Sequence, residues 1–352
     1  MYLSGIGTAT PPWRYEQNQC WEALEQSPQF SGLANRSRAI LKKVLLGKNG
    51  IATRHLALNP LSEVFETNPD ALHQRFLRHA PVLAAAAAER ALADAEIPAS
   101  DIDTVLISTC TGYLCPGLTS YVSEKLGLRP NVFALDLVGQ GCGAALPNLR
   151  SAQNLIASGQ NKKILSICVE ICSAAFYLDN DPGVLISACL FADGAGAVVL
   201  SSEPNENCRQ VKWKHFHSIA SPADRDLLRF EQKNGMLRNI LSPQVPSLAA
   251  KYANDVLEGL LKSTGEDRMR ISSWILHAGG REVLLALQSK LNLSSADICL
   301  SANVLREFGN LSSPFVLFVL EKALRENAPG GLWWMASFGA GFSSHGALLE
   351  VE

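Results

Sequence analysis

Three side chains of this sequence could carry out acyl chemistry together: Cys142, His277 and Asn310. Cys142 follows an apolar run, residues 132–138, that predicts a buried strand, and it precedes a helical pattern over residues 144–158. The free N–H groups and the dipole at a helix N-terminus stabilise a thiolate, which is the nucleophilic form of cysteine. Taken alone, the residue could equally be a buried apolar thiol, as most free cysteines are.

His277 and Asn310 stand at similar chain positions in the second half. His277 ends a predicted strand, residues 271–276, and two glycines follow shortly after it, which places its side chain at the mouth of a cleft. Asn310 follows Gly309 and opens a predicted helix near Leu311. Each residue has a simpler explanation, since a core histidine can bond to backbone and an asparagine can cap a helix.

A repeat along the chain predicts how these residues meet. The strand-like segment that ends at Gly112 resembles the one that ends at Gly280, and Cys142 follows the first glycine at the spacing at which Asn310 follows the second. Strand and helix patterns alternate throughout, which is typical of α/β layers. We therefore predict two related halves, residues 1–202 and 203–352, whose helix N-termini face a shared central site.

The composition restricts the class of protein. Of the 352 residues, 47% are hydrophobic and 18% are charged, which suits a compact enzyme. The net charge of −2 gives no general attraction to nucleic acid or to an anionic membrane. Nine cysteines without a C-x-x-C pair favour a reducing compartment over disulfides or a metal site. With no signal-peptide or membrane-spanning pattern, we expect a cytoplasmic protein.

Cysteine, histidine and asparagine together suit acyl transfer to sulfur followed by decarboxylative carbon–carbon bond formation. The thiolate of Cys142, beside an imidazolium, would take an acyl group from a thioester. Loss of carbon dioxide from a malonyl thioester places negative charge on the thioester oxygen, and donors from His277 and Asn310 would each stabilise it by about 3–4 kcal/mol. A cysteine protease could use the same residues, but no protease signature is present.

Longer motifs carry a resemblance to one family. The sequence resembles the type III polyketide synthases, the chalcone-synthase-like family of the thiolase superfamily, most specifically at Gly139–Gly143, Leu190–Ala197, His277–Gly280 and Phe308–Ser313. The resemblance implies a thiolase-like fold of duplicated αβαβα layers with pseudo-twofold symmetry, assembled as a homodimer without metal or redox cofactor. It also implies that Cys142 carries the acyl group, with His277 and Asn310 completing a triad.

The implied activity is iterative condensation of an acyl-CoA starter with malonyl-CoA, followed by cyclisation. By the same resemblance, Phe191 is a gatekeeper and the acyl cavity is lined by Cys110, Thr111, Cys115 and Ala175. These small side chains favour an aliphatic starter and a pyrone or resorcinol product, unless Tyr113 or Tyr177 fills the space. The lid loop contains Phe338, Gly339 and Ala340, and Ala340 replaces the proline of the family.

The remaining expectations concern CoA and the competing functions. We expect CoA to contact Lys48, Arg54, Gly279, Gly280 and Ser312, whereas Lys42 and Lys43 fit a phosphate-binding patch and a solvated helix face equally well. Residues 224–244 match the family poorly, so they identify no second gatekeeper. A β-ketoacyl-ACP synthase III, which performs one condensation, is the alternative within the superfamily. A non-catalytic partner subunit is disfavoured because all three residues of the triad are present.

Overall fold

Eleven α-helices and thirteen β-strands alternate along the chain in a computed structural model that describes residues 1–352. The strands are β1 (Tyr2–Ala9), β2 (Arg14–Glu16), β3 (Thr53–His55), β4 (Thr104–Thr109), β5 (Phe133–Val138), β6 (Lys163–Glu170), β7 (Gly194–Ser201), β8 (Val211–Ala220), β9 (Leu228–Lys233), β10 (Met236–Leu241), β11 (Ile271–Leu276), β12 (Gly331–Gly339) and β13 (Ser343–Val351). The helices are α1 (Gln17–Glu25), α2 (Pro28–Ser31), α3 (Asn35–Leu45), α4 (Pro69–Ala95), α5 (Leu118–Leu126), α6 (Ala145–Ala157), α7 (Pro182–Leu190), α8 (Val245–Thr264), α9 (Arg281–Lys290), α10 (Cys299–Phe308) and α11 (Phe315–Arg325).

The main sheet repeats one strand order in both halves of the chain. Its nine strands run β11-β12-β13-β8-β1-β7-β6-β4-β5, and β8 touches β1 through a single pairing of Tyr2 with Lys212. Outward from that contact, β1, β7, β6 and β4 correspond to β8, β13, β12 and β11. The last two strands of each set are parallel, and the preceding pairs are antiparallel. The predicted duplicated α/β fold is confirmed, and the second half lacks only a counterpart of β5.

Two helices form the layer between the halves. Helix α6 contacts β4 and β6 of the first half and β12 and β13 of the second, and α11 contacts β1, β7, β11 and β12. Eight of the eleven residues of α11 are buried, which fits a helix that is covered along most of its length. Helix α4 covers the outer face of the first half and α8 that of the second, so the layers read αβαβα. No helix combines the length and the apolarity needed to cross a membrane.

The strand predicted before Cys142 is present, but it lies at an exposed edge of the sheet and not in the core. Strand β5 forms at Phe133–Val138 as expected, but it is the outermost strand of the sheet and most of it is exposed. Phe133 is 48% exposed and Val138 55%. The apolar run therefore predicted a strand correctly and its burial wrongly, because an apolar run does not distinguish a core strand from an uncovered edge.

Small residues allow α4 to lie directly on β1. Alanines fill the inward face of α4, and glycines stand opposite on the strand. A Cβ atom added to Gly7 would lie 2.5 Å from the Ala87 carbonyl oxygen and 2.6 Å from the Ala91 nitrogen. Since both neighbours are backbone atoms of a packed helix, the contact cannot relax by rotation of a side chain.

We expect Gly7→Ala to lower the free energy of unfolding by about 1–3 kcal/mol, because it overpacks this contact. The measurement is urea denaturation followed by circular dichroism. Gly32→Ala is the matched control, since its Cβ would meet only the Gln29 carbonyl oxygen at 3.5 Å. Equal unfolding midpoints for the two variants would contradict the close packing of α4 on β1.

Candidate active site

Cys142 lies in a tight turn between β5 and α6, as the sequence predicted. The turn, Gly141–Gly143, is one 3₁₀ segment, and Gly141 adopts a φ of +57°, which favours glycine. A Cβ atom on Gly141 would lie 2.9 Å from the Ala340 nitrogen. The cysteine is partly exposed, and its sulfur accepts a hydrogen bond of 3.2 Å from Ser312 Oγ. The nucleophile of the first half is thus contacted directly by the second half.

The loop that carries Asn310 lies against Phe191, the residue predicted to be the gatekeeper. The Asn310 N–H donates to the Leu190 carbonyl, and the residue forms a parallel bridge with Phe191. Its side-chain Oδ1 accepts from the Ser312 N–H at 2.9 Å, and Nδ2 donates to the Gly279 carbonyl at 3.1 Å. These bonds hold Ser312 in the left-handed region, at a φ of +59°. The amide therefore links Ser312 to the loop after His277.

The predicted helix start at Asn310 was wrong. Helix α11 begins at Phe315 with Pro314 as its N-cap, and the residues before it form the loop described above. Asn310 is therefore not a helix cap, which removes the simpler explanation for this side chain. The sequence pattern misled because its apolar residues after Gly309 are buried in a loop as well as in the helix.

His277 follows β11 and is buried with both ring nitrogens unpartnered. Its ring meets Phe338 and Phe315 edge-on, at centroid distances of 4.9 and 5.3 Å. A Cβ atom added to Gly279 would lie 3.8 Å from Nε2, so this nitrogen is on the side of the Gly279 peptide. Buried polar atoms nearly always have a partner. An imidazole whose nitrogens have no protein partner is free to form hydrogen bonds with a bound substrate.

Burial keeps both reactive groups neutral in the free chain. Burial raises the pKa of Cys142 to about 12, although the Ser312 hydroxyl favours the thiolate. Burial also lowers the pKa of His277 to about 3. These shifts run against the sequence-based expectation of an imidazolium that holds a resting thiolate, which stays a prediction. Loss of water around these groups is the largest cause of both shifts.

Sequence reasoning missed Glu170, a buried carboxyl group beside the site. It accepts hydrogen bonds from Ser313 Oγ at 2.6 Å, Thr111 Oγ1 at 2.9 Å and the Cys110 N–H at 3.0 Å. The Cys110 thiol also donates to it, at 3.3 Å. Burial raises the pKa of the carboxyl despite these bonds. A glutamate ending an apolar strand was the available signal, because acidic residues are rarely buried without partners.

A small cavity brings together most of the predicted acyl-binding residues. Its walls include Cys110, Thr111, Ala175, Phe191 and Ser312, and the rest of its lining is Cys172, Phe176, Val184, Ser187, Phe230 and Asn239. The space free for water-sized molecules is about 20 Å³, which is room for roughly one water. Neither tyrosine considered above lines the cavity. Phe176 and Phe230 narrow it instead.

One predicted lining residue lies elsewhere. Cys115 is exposed and is absent from the walls of this cavity. It lies between β4 and α5, five positions beyond Cys110, and the intervening turn carries it to the surface. Closeness in the sequence does not keep residues of a turn on one wall, so the assignment of Cys115 to the acyl cavity stays a prediction.

The lid residues pack against the turn of the nucleophile. Phe338 lies against the His277 ring, and Ser337 Oγ donates to the Gly143 carbonyl at 3.0 Å. A Cβ atom on Gly339 would lie 2.5 Å from the Gly143 nitrogen, and Ala340 touches Gly141 in the same way. The predicted lid loop therefore forms one wall of the nucleophile turn.

The residues predicted to contact CoA do not form one group. Arg54 is buried, and its guanidinium donates through Nε to Gln17 Oε1 and through Nη1 to the carbonyls of Ala188 and Phe191, which leaves only Nη2 without a protein partner. Ser312 contacts the nucleophile rather than an entrance. Lys48 is exposed. A basic residue in a sequence gives no sign of whether the fold buries it, and the contact of Arg54 with CoA stays a prediction that its burial disfavours.

Gly279 and Gly280 do border the site. The Gly279 carbonyl accepts from Asn310, and a Cβ atom on Gly280 would lie 3.5 Å from a methyl group of Leu190. Both glycines therefore lie between His277 and the segment that carries Phe191.

Comparison with known families decides the kind of enzyme. Residues 10–226 match the family described as FAE1/Type III polyketide synthase-like protein, and residues 228–349 match the Chalcone and stilbene synthases, C-terminal domain. The chain belongs to the type III polyketide synthases. This acyltransferase therefore performs iterative decarboxylative condensation and cyclisation, and the single-condensation alternative is set aside.

Relatives and solved structures agree over the whole length. The 3,5-dihydroxyphenylacetyl-CoA synthase of Streptomyces toyocaensis is 29% identical and covers 99% of this chain and 89% of its own. An α-pyrone synthesis polyketide synthase-like protein of Mycobacterium tuberculosis is 28% identical, covering 99% and 91%. The crystal structure of a polyketide synthase from the brown alga Ectocarpus siliculosus aligns at a TM-score of 0.91 with 26% identity, over 99% of this chain and 98% of its own.

Alkylation should reveal the neutral state of the nucleophile. In a background with Cys115→Ser and Cys299→Ser, iodoacetamide should label Cys142 about tenfold faster for each pH unit between about pH 8 and pH 10, since only the thiolate reacts. Mass spectrometry of the Cys142 peptide measures the rate. Ser312→Ala should be slower at every pH, because it loses the hydrogen bond that favours the thiolate. A plateau near neutral pH would instead indicate a resting ion pair.

Proposed function

We propose that this type III polyketide synthase loads an acyl-CoA starter on Cys142, extends it with malonyl-CoA and closes a pyrone or resorcinol ring. The observation that supports this assignment most directly is the chain of contacts that runs from Cys142 through Ser312 and Asn310 to the peptide beside His277. Those contacts join residues of both halves at one point. The chemistry uses side chains and CoA thioesters alone, without a metal or an organic cofactor.

Loading requires the neutral thiol to lose its proton. His277 is the acceptor we assign, because its imidazole is neutral and its nitrogens have no other partner. The sulfur then attacks the thioester carbonyl, the new sulfur–carbon bond forms, and the bond to the CoA sulfur breaks. The proton held by the imidazole leaves with the CoA thiolate. Substrate that displaces water and presents a partner to the ring makes this transfer possible at a group buried in the free chain.

Decarboxylation places charge on the thioester oxygen of malonyl-CoA. As carbon dioxide leaves, the electron pair of the broken bond forms an enolate, whose oxygen needs donors. Asn310 Nδ2 gives one N–H to Gly279 and retains a second, and the neutral His277 ring supplies another from its one N–H group. The enolate carbon then attacks the acyl group on Cys142, and the sulfur–carbon bond breaks as the carbon–carbon bond forms. The product leaves on CoA and is reloaded for the next cycle.

The walls of the small cavity support an aliphatic starter. Ala175, Val184 and the two phenylalanines Phe176 and Phe191 give mostly apolar contacts, whereas Glu170 and its partners lie at the end near Cys110. An alkyl group fits such walls without unpaired polar atoms. The names of the two relatives refer to an α-pyrone and to a dihydroxyphenyl ring, which supports ring closure of either type here.

Lys48 is the residue we retain for the CoA phosphates. It is exposed in the loop after α3, and Gly50 of the same loop lies beside Arg281, directly after the two glycines that border the site. A lysine acts as a movable point charge toward a phosphate. All nine cysteines are free thiols, which supports a reducing compartment, the cytoplasm, as the location.

The exposed edge strand supports a homodimer. Strand β5 pairs only with β4, so its other edge has free backbone donors and acceptors. Phe133, Leu135 and Val138 expose apolar surface on the same strand. A second copy that packs against β5 would cover both. Because β5 leads directly into the turn of Cys142, such a dimer would also brace the nucleophile.

Substitutions of the three central residues should separate their roles. We expect Cys142→Ala to abolish both acyl loading and product, because it removes the sulfur. Asn310→Ala should lower malonyl-CoA decarboxylation about 10²–10³-fold while loading persists, since it removes one donor to the enolate oxygen. His277→Ala should impair both steps. Mass spectrometry of the Cys142 peptide reports loading, and release of labelled carbon dioxide reports decarboxylation.

Cys299→Ala is the matched control for the cysteine variant, because Cys299 is exposed at the start of α10. It should load and condense like the unmodified enzyme. If no acyl-CoA of a chain-length series labels Cys142 in that enzyme, the proposed loading step fails. If Asn310→Ala decarboxylates malonyl-CoA at the normal rate, the role of the amide is wrong.

The dimer is tested by a charge on the edge strand. Leu135→Glu should weaken self-association at least about tenfold, or about 1.4 kcal/mol, because it places a carboxylate in an apolar interface. Sedimentation velocity over a concentration series measures the effect. Leu285→Glu is the control, since Leu285 is similarly exposed, at 37% against 38%, but lies on α9. Equal association of both variants would move the interface away from β5.

A further inference from the structure

A second and larger cavity adjoins the acyl cavity. Its free space for water-sized molecules is about 520 Å³, against about 20 Å³ in the first. Only two residues, Cys110 and Phe230, line both. The remaining walls of the second cavity include Gly141 of the nucleophile turn and Ala340 of the lid. The side chains of Cys110 and Phe230 thus separate the small cavity, which has room for roughly one water, from the larger cavity, which could hold a chain.

The two halves of this partition differ in how firmly they are held. Cys110 is bound to Glu170 through both its N–H and its thiol. Phe230 lies on β9, which pairs only with β10 and joins no strand of the main sheet. Its cross-strand neighbour Asn239 is anchored to Ser187 Oγ at 2.7 Å. The Phe230 ring is held by no hydrogen bond, so it is the part of the wall that can rotate away.

The hairpin formed by β9 and β10 is anchored at its base, so only the Phe230 side chain is free to move. Arg238 forms ion pairs with Asp181, at the start of α7, and with Glu231 across the strands. The Leu228 carbonyl also accepts from the Gly341 N–H at 3.3 Å. A rotation of the ring therefore connects the chambers without unfolding the hairpin.

We propose that Phe230 is a specificity-determining residue, whose ring separates the two chambers and sets the number of malonyl units added before release. The inference rests on the proposed function, because the chain in question grows on Cys142. With the ring in place, the small cavity has room for roughly one water, so a growing chain cannot enter it. Each further extension must push the ring aside or end the cycle.

The second cavity fits an oxygenated chain better than an alkyl tail. Arg225 and Arg229 line it, and no carboxylate does. Arg229 is paired with Asp226 and Glu231, whereas Arg225 has no ion-pair partner. Guanidinium N–H groups donate to keto and enolate oxygens. Val138, Leu237 and the Phe230 ring supply apolar contacts for the intervening carbons. These walls match a poly-β-keto chain with alternating carbonyl and methylene groups.

The experiment is a product analysis of Phe230→Ala with a fixed acyl-CoA starter and malonyl-CoA. We expect products at least one two-carbon unit longer than those of the unmodified enzyme, with the original product reduced at least about fivefold. Phe230→Leu should shift the products in the same direction to a smaller extent, and it serves if the alanine variant is unstable. Met236→Ala is the control, because Met236 lies on β10 of the same hairpin, lines neither cavity and should leave product length unchanged.

A second substitution tests where the longer chain goes. Adding Arg225→Gln to Phe230→Ala should return the distribution toward the original product, because it removes the free donor of the second cavity. A distribution equal to that of Phe230→Ala alone would contradict that placement.

Acyl labelling of Cys142 separates the two levels of inference. If the unmodified enzyme is labelled and makes product, identical product lengths in the Phe230 variants overturn the role of Phe230 and leave the proposed function intact. If the unmodified enzyme is never labelled, both the role of Phe230 and the proposed function are wrong.

Discussion

The site depends on backbone atoms of the two halves that approach each other with no side chain between them. The Cys142 turn and the loop at the end of β12 touch at Gly141, Gly143 and Gly339, where an added Cβ would lie within about 3 Å of backbone atoms. This approach brings the Ser337 hydroxyl to the Gly143 carbonyl and the Phe338 ring to His277. Glycine is required because any other residue would separate the loops. Separated loops would leave the nucleophile without its histidine.

Burial then determines the protonation states of the Cys142 thiol and the His277 imidazole. The crowding that holds His277 and Cys142 also removes the water that would stabilise their charged forms, so thiol and imidazole are both neutral near pH 7. Glu170 follows the same rule, since its many hydrogen bonds do not prevent burial from raising its pKa. A neutral site protects the thiol from unwanted reaction. It also makes substrate binding the event that creates charge, which is where the donors of Asn310 contribute.

The cavities show how one fold can make products of different size. The chamber beside Cys142 is smaller than any growing chain, and the larger chamber lies behind a single aromatic ring on a separate hairpin. The scaffold that performs the chemistry is therefore distinct from the element that limits the chain. Since β9 and β10 pair with no strand of the main sheet, side chains on them can change without disturbing the strand pairing of that sheet.

Sequence alone determined the elements that obey local rules. The strand–turn–helix at Cys142, the strand before His277 and the repeated order of the halves follow from apolar periodicity and glycine placement, which are readable residue by residue. The family motifs identified the chemistry. Tertiary structure decided what depends on neighbours far along the chain: the exposure of β5 and Cys115, the burial of Arg54, the late start of α11 and the contact of Ser312 with the sulfur. It also decided the pKa values and the partition at Phe230, because both arise from how much water and space the packed halves leave at one point.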